Sequence, residues 1–308
     1  MFSIFKKSPC VSVVVIAYNR EQYIEECLDS ILGQDIEKEI ICIDDASTDD
    51  TYAILSRYAK EHKEIKVYQN TVNKGTVWAR YEGIKHCKGQ YLLFIDADDK
   101  ILPDSLPLLF KEAINKKVDV LEFCAQTDGS EEFQKALVRD SLHIQGDVLQ
   151  AYKDHAISNQ LWNKLFSQSV YKQVVKYGEP KNEYSNFSDV VYFLIHFLFY
   201  ANSFSTSSTF GYFYYDNRGM TATISEIDRL KEYCGFGIVK RDLEDIYGKM
   251  PALTDRWNIV CNQAIVTWCK LPEQDQKKYK HLLLTLMSQK AMDKLIPGIQ
   301  ELLAQQQK

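Results

Sequence analysis

Four apolar runs of strand length, each followed by a polar or acidic cluster and each parted from the next by a helix-length segment, limit this fold most tightly. Val11-Ser12-Val13-Val14-Val15-Ile16-Ala17 is nearly continuous in β-branched residues, as in a strand covered on both faces of a parallel sheet. It stops at Tyr18-Asn19-Arg20. Over residues 21–32 the apolar positions Ile24, Cys27, Leu28, Ile31 and Leu32 recur at helical spacing, and Gly33 marks the end. Residues 39–43 predict a second strand, closed by Asp44-Asp45-Ala46-Ser47-Thr48-Asp49-Asp50 before a helix over 51–60. Residues 65–68 predict a third. A helix over 76–87 then leads to Tyr91-Leu92-Leu93-Phe94-Ile95, which ends in Asp96-Ala97-Asp98-Asp99. Strands alternating with helices predict an α/β fold, doubly wound around a mostly parallel sheet, with ligands outside the carboxyl ends of the strands. Every polar cluster lies at such an end, so the clusters are expected to converge.

The chain continues with a helix over 102–114, a strand over 118–124, a helix over 188–200 with Ser188 as cap and Asp189 in its first turn, and a strand over 203–216. That strand runs into the loop Tyr214-Tyr215-Asp216-Asn217-Arg218-Gly219. From residue 226 the pattern becomes helical, over 227–246, 252–269 and 275–295, broken by Gly248, Pro251, Pro272 and Pro297. The expected organisation is a principal domain over 1–225 and a helical C-terminal region over 226–308.

Composition excludes several classes. Hydrophobic residues make up 45% of the chain and charged ones 26%, enough for a sizeable core. A formal net charge of -5 argues against a general nucleic-acid binder, because phosphate neutralisation needs basic excess. The 8 cysteines are scattered through apolar segments without C-x-x-C or nearby His, which reads as reduced core residues in a cytoplasmic protein. No segment has the length of a membrane span. Phe2, Phe5, Lys6 and Lys7 leave room only for weak peripheral contact at the inner face of a membrane.

Carboxylates as close as Asp96 and Asp98 repel one another unless a cation intervenes. At a strand's end the chain turns, and both can face one Mg²⁺ or Mn²⁺, which completes its shell with water and phosphate oxygens. A solvated turn is the competing reading of the motif alone. Asp44 and Asp45 suit a ribose or base N–H, with Tyr18 stacking on the base, or equally the start of the next helix.

Taken together, these motifs resemble family 2 glycosyltransferases of the GT-A fold. The resemblance rests on the first strand with Tyr18-Asn19, on Asp44-Asp45-Ala46-Ser47-Thr48-Asp49, on Asn73-Lys74-Gly75 with Ala79-Arg80, and on Phe94-Ile95-Asp96-Ala97-Asp98-Asp99. Trp162-Asn163-Lys164-Leu165-Phe166, the Asp189 segment and the 214–218 loop look like the acceptor half of bacterial polysaccharide and glycoprotein glycosyltransferases in that family. Coverage is roughly residues 10–222, and the resemblance implies a nucleotide-binding half over 10–100 and an acceptor half over 101–225. The chain departs from the family at Ala17 (usually Pro), Ala46 (usually Gly), Glu82 (usually Asn) and Ser188 (usually Glu). The first two replace residues that supply no chemistry, whereas Glu82 puts a carboxylate near the nucleotide.

The resemblance implies a metal-dependent inverting enzyme that moves a sugar from a nucleotide donor, UDP-linked first of all, to a saccharide or glycoprotein hydroxyl. It assigns Asp189 as general base and Asp98 as the main ligand of Mn²⁺ or Mg²⁺, with Asp96 on the ribose or the metal. Tyr18, Asp45 and Arg80 hold the nucleotide. Trp162 offers an apolar wall to a sugar face or packs in the core, and Arg218 contacts the diphosphate or lies as surface charge. Lys164 reads as an ion-pair partner. A sugar nucleotidyltransferase and a non-catalytic sugar-binding module are the alternatives, and the aromatic content of the C-terminal helices, including Trp257 and Trp268, suggests self-association or acceptor selection.

Overall fold

The computed structural model describes residues 9–181, 189–218, 225–247, 252–286, 292 and 296–297. In it the four expected strands, β1 (Val11–Ala17), β2 (Lys38–Asp44), β3 (Ile65–Gln69) and β4 (Tyr91–Asp96), lie parallel in the order β3-β2-β1-β4. The connecting helices are α1 (Ile24–Leu32), α2 (Thr51–Glu61) and α3 (Thr76–His86). One face of the sheet buries Val13 and Val15 of β1 in a cluster with Ile24, Cys27, Leu28 and Ile31 of α1. On the other face α3 comes so close that a Cβ on Gly83 would lie 2.4 Å from Val14 Cγ1. Only glycine fits there without displacing a stiff β-branched neighbour.

The sheet continues through β5 (Lys100–Ile101), β6 (Val120–Thr127), β7 (His143–Gln145), β8 (Lys164–Ser167) and β9 (Ser203–Tyr214). Its full order is β3-β2-β1-β4-β8-β6-β9-β5, with β7 also paired to β9. The parallel pairings match five to eight residues each, the antiparallel ones two or three, so the nine-stranded sheet is mostly parallel. The strand expected over 118–124 forms two residues later, because Asp119 is spent at its edge: its carboxylate accepts from Ser167 Oγ at 3.0 Å and from Asn202 N at 2.9 Å.

The helices α4 (Ser105–Lys116), α5 (Glu131–Ala136), α6 (Val148–Lys153) and α7 (Gln168–Tyr177) fill the connections, and α8 (Asp189–Tyr200) precedes β9. Phe193 and Phe197 of α8 pack on Phe94, and Phe197 also stacks on Phe166 at 4.1 Å between ring centroids. The chain divides into two units, one of residues 1–180 and 193–222, the other of 181–192 and 223–308. The second contains α9 (Glu226–Tyr247), α10 (Ala252–Lys270) and α11 (Glu273–Leu286), which pack on one another around Leu230, Leu243, Ile265 and Leu283. Trp268 is buried among them and donates to Gln276 O at 2.9 Å. Phe2, Phe5, Lys6, Lys7, Ser188 and the side chain of Trp257 lie outside the described residues.

Candidate active site

Register sets the level of the site. Ala17 pairs with Asp44 and Ile16 with Asp96, so β1, β2 and β4 end side by side and release their polar residues on one edge. The chain leaves β1 toward β2 and β3 and returns on its other side as β4, which makes the β1–β4 crevice the switch point where such sheets bind ligands. Tyr18, Asn19 and Arg20 flank it from β1; Asp96, Asp98 and Asp99 flank it from β4.

Asp45 organises the 70–75 loop. Its carboxylate accepts from Asn70 Nδ2 at 2.7 Å and from the amides of Lys74 at 3.0 Å and Gly75 at 2.8 Å. Gly75 has φ 83, a conformation that favours glycine, and its amide is thereby turned onto Asp45. Asp44 accepts through Oδ2 from Ser47 N and Gln69 Nε2, while its buried Oδ1 has no donor. Tyr18 is half-exposed beside the crevice.

The three carboxylates at the end of β4 each have a different partner. Arg80 donates to Asp96 Oδ1 at 2.7 Å and lies buried against the Phe94 ring, 5.2 Å from its centroid. Arg20 Nε donates to Asp98 Oδ2 at 3.0 Å. Asp99 accepts from Tyr212 hydroxyl at 2.8 Å and from Tyr215 N at 2.9 Å, and the same hydroxyl accepts from Asp96 N at 3.2 Å. Asp99 therefore ties the carboxylate turn to the end of β9. Burial, then the charge of Asp96, push the Asp98 carboxyl above its ordinary value against the pull of Arg20. Asp99 is pushed well above its own by burial and both neighbours.

Past β9, Arg218 Nη1 donates to Glu26 Oε2 at 2.6 Å, and its guanidinium lies 3.3 Å from the Tyr215 ring centroid. Lys100 Nζ at 3.0 Å and the Tyr215 hydroxyl at 2.8 Å hold Glu26 Oε1. Burial alone pushes the Glu26 carboxyl up, but these three donors outweigh it and bring it down to about 2. Trp162 keeps only 7% of its surface exposed and stacks on Tyr212 at 4.5 Å and on Tyr214 at 5.6 Å.

The structure thus brings Asp96, Asp98 and Arg80 into one cluster and sets Tyr18 and Asp45 at the neighbouring strand ends. Arg218 lies in the loop after β9. Asp189 is buried in the first turn of α8, on the segment that belongs to the second unit. Glu82 pairs within its own helix, with Lys85 at 2.9 Å and His86 at 3.1 Å. Sequence reasoning missed Arg20, Glu26, Lys100 and Tyr212. Arg20 had a signal, since it is a cation at the end of β1 and the crowded carboxylates of β4 require one.

Among the described residues no three His, Cys, Asp or Glu side chains form a metal cage. Two hard carboxylates fit Mg²⁺ or Mn²⁺, which keep water and phosphate oxygens in their shells, better than a metal enclosed by protein. No helix among the described residues is long and apolar enough to cross a membrane.

Comparison with known proteins bears directly on this arrangement. The chain is 45% identical over 100 residues to the poly(ribitol-phosphate) beta-glucosyltransferase of Bacillus spizizenii, an overlap of 31% of this chain and 16% of that one. It is 31% identical over 177 residues to the putative glycosyltransferase EpsH of Bacillus subtilis, 53% of this chain and 48% of that one. It therefore spans less than half the length of either relative. The solved structure of S. aureus TarS 1-349 in complex with UDP-GlcNAc superposes with a TM-score of 0.65 at 19% identity, covering 94% of this chain and 86% of that one. A mannosyltransferase from Pyrobaculum calidifontis in complex with GDP-Man and Mn2+ superposes at 0.58 with 18% identity, covering 96% and 86%. The architecture is the GT-A type that the motifs implied. The profile of glycosyl transferase family 2 matches residues 12–175, more than half of the sequence, and the chain belongs to that family of glycosyltransferases.

Proposed function

We propose that this chain is a metal-dependent inverting glycosyltransferase that moves a sugar from a nucleotide donor, UDP-linked, to a hydroxyl of a saccharide or glycoprotein acceptor. The observation that carries the reading is the Asp96–Asp98 pair at the switch point, level with the ends of β1 and β2 and held by two guanidiniums. Support comes from the nucleotide-sugar complexes of two structural neighbours, one of them with Mn2+, and from the polymer glucosyltransferase named among the relatives.

Asp98 holds a divalent cation, Mn²⁺ or Mg²⁺, with Asp96 beside it on the metal or the donor ribose. Such a cation supplies positive charge against the departing diphosphate. Tyr18 stacks on the base, Asp45 keeps the 70–75 loop in place around the nucleotide, and Arg80 fixes Asp96. Arg218 reaches the diphosphate by exchanging Glu26 for phosphate oxygens. Trp162 backs the site through Tyr212 and Tyr214. Asp189 takes the proton from the acceptor hydroxyl while that oxygen forms its bond to the anomeric carbon and the bond to the diphosphate breaks on the opposite face. One substitution divides the roles from another. Asp98→Ala should abolish transfer, whereas Asp189→Asn should slow it by about 100-fold or more with donor affinity intact. Wild-type transfer by either variant removes that residue from the mechanism.

A further inference from the structure

Arg20 is held by the backbone as well as by its ion pair. Nη1 donates to Tyr18 O at 3.2 Å and to Asn19 O at 2.9 Å, while Nε donates to Asp98 Oδ2 at 3.0 Å. The turn that permits this has Asn19 at φ 53, and Arg20 N is anchored on Thr51 Oγ1 at 2.7 Å. The guanidinium is thus presented across the β1–β4 crevice to the carboxylate with the greatest claim on a metal.

Arg80 does not occupy an equivalent position. Its side chain is 5% exposed and lies against Phe94 in the core, whereas the side chain of Arg20 is 20% exposed. Arg80 has little room to leave Asp96. Arg20, whose side chain is partly exposed, can leave Asp98 by side-chain rotation about an anchored backbone, giving up its bonds to Tyr18 O and Asn19 O. A guanidinium and a divalent cation sharing one carboxylate repel each other, and a guanidinium is also suited to bind diphosphate oxygens through its fork of donors.

We infer that Arg20 is a resident counter-ion of Asp98 that yields the carboxylate to an incoming divalent cation and passes its hydrogen bonds to the donor diphosphate, so that metal and nucleotide bind cooperatively. The inference rests on the metal-dependent reading above. Arg20 acts here as a positioning residue: while it holds Asp98 it keeps the turn neutralised, and once released it becomes a phosphate ligand. Because coupling is reciprocal, whatever the metal loses by displacing Arg20 alone is recovered when nucleotide accepts the guanidinium.

Binding of Mn²⁺ alone, followed by the paramagnetic resonance of the free ion, tests this without turnover. Arg20→Gln should bind Mn²⁺ about fivefold or more tightly than wild type, since nothing competes for Asp98. Arg20→Lys, which keeps the charge and loses the Nε–Nη1 fork, should fall between the two and gives the same reading if the glutamine variant does not fold. With Mn²⁺ saturating, UDP should bind Arg20→Gln more weakly than wild type. Unchanged or weaker Mn²⁺ binding by the Arg20 variants overturns the inference, because an arginine that merely orients Asp98 would help the metal. Asp98→Asn separates the two levels. If it loses Mn²⁺ binding while the Arg20 variants match wild type, only the counter-ion role fails; if it binds Mn²⁺ as wild type does, the metal reading fails and the counter-ion role with it.

Discussion

Ala46 has φ 63, a left-handed conformation in which the Cβ of an L-residue crowds the backbone. It occupies the turn after β2, between Asp45, which gathers the amides of residues 74 and 75, and Ser47, whose amide donates to Asp44 at 3.2 Å. Replacing Ala by Gly normally costs folding free energy through the unfolded chain. Here relief of the strained backbone should exceed that cost, so Ala46→Gly is expected to stabilise the protein by up to about 1 kcal/mol. Urea unfolding measures it, and a drop in the midpoint would show that the turn holds Ala46 without strain. The sequence displayed the departure from the family's glycine but not its conformation, and the replacement is less innocent than chemistry alone suggests. The ion pair of Arg20 with Asp98 was hidden for a different reason. Its partners are 78 residues apart and meet only because β1 and β4 are neighbours, so no local pattern encodes the contact.

At the scale of elements, periodicity revealed the four parallel strands and their helices, because buried runs and helical stripes each extend over several residues. The short antiparallel β8 carried no such signal, although it joins β4 to β6 and brings a buried charge with it. Lys164 on β8 is fully buried, donating to Ser158 Oγ at 2.9 Å, Gln160 O at 2.7 Å and Asn163 Oδ1 at 2.9 Å, with Glu122 of β6 at 3.6 Å. Burial lowers its ammonium from 10.5 to about 8, against the attraction of Glu122. Between those values the unfolded chain binds the proton that the folded chain has lost, so this group's contribution to stability rises with pH across that window. The stability of wild type relative to Lys164→Met should therefore improve from about pH 8 to 10.5, by an amount on the order of 3 kcal/mol. Comparing the two proteins in urea cancels the tyrosines and cysteines that titrate in the same range. A difference that is flat with pH would mean that Glu122 keeps the lysine charged throughout.

For the molecule as a whole, the question is whether the proposed metal would belong to the fold or only to the reaction. In proteins folded by a metal, the ligand side chains repel one another until the ion arrives, and chelation unfolds them. In this chain the carboxylates that crowd the end of β4 already have partners: Arg80 on Asp96, Arg20 on Asp98, and Tyr212 with the Tyr215 amide on Asp99. The sheet beneath them is closed by apolar packing that needs no ion, with Phe94 and Ile95 fully buried directly before the turn. Chelation with EDTA should accordingly stop sugar transfer while leaving the far-ultraviolet circular dichroism unchanged. The melting temperature should fall only by the linkage of a reversibly bound ligand, roughly 2–4 °C for each kcal/mol of metal binding. Readdition of Mn²⁺ should restore the rate without a refolding lag. Loss of the dichroism signal in EDTA would make the cation a structural element, and transfer that continues in EDTA would leave Asp98 without the role proposed for it.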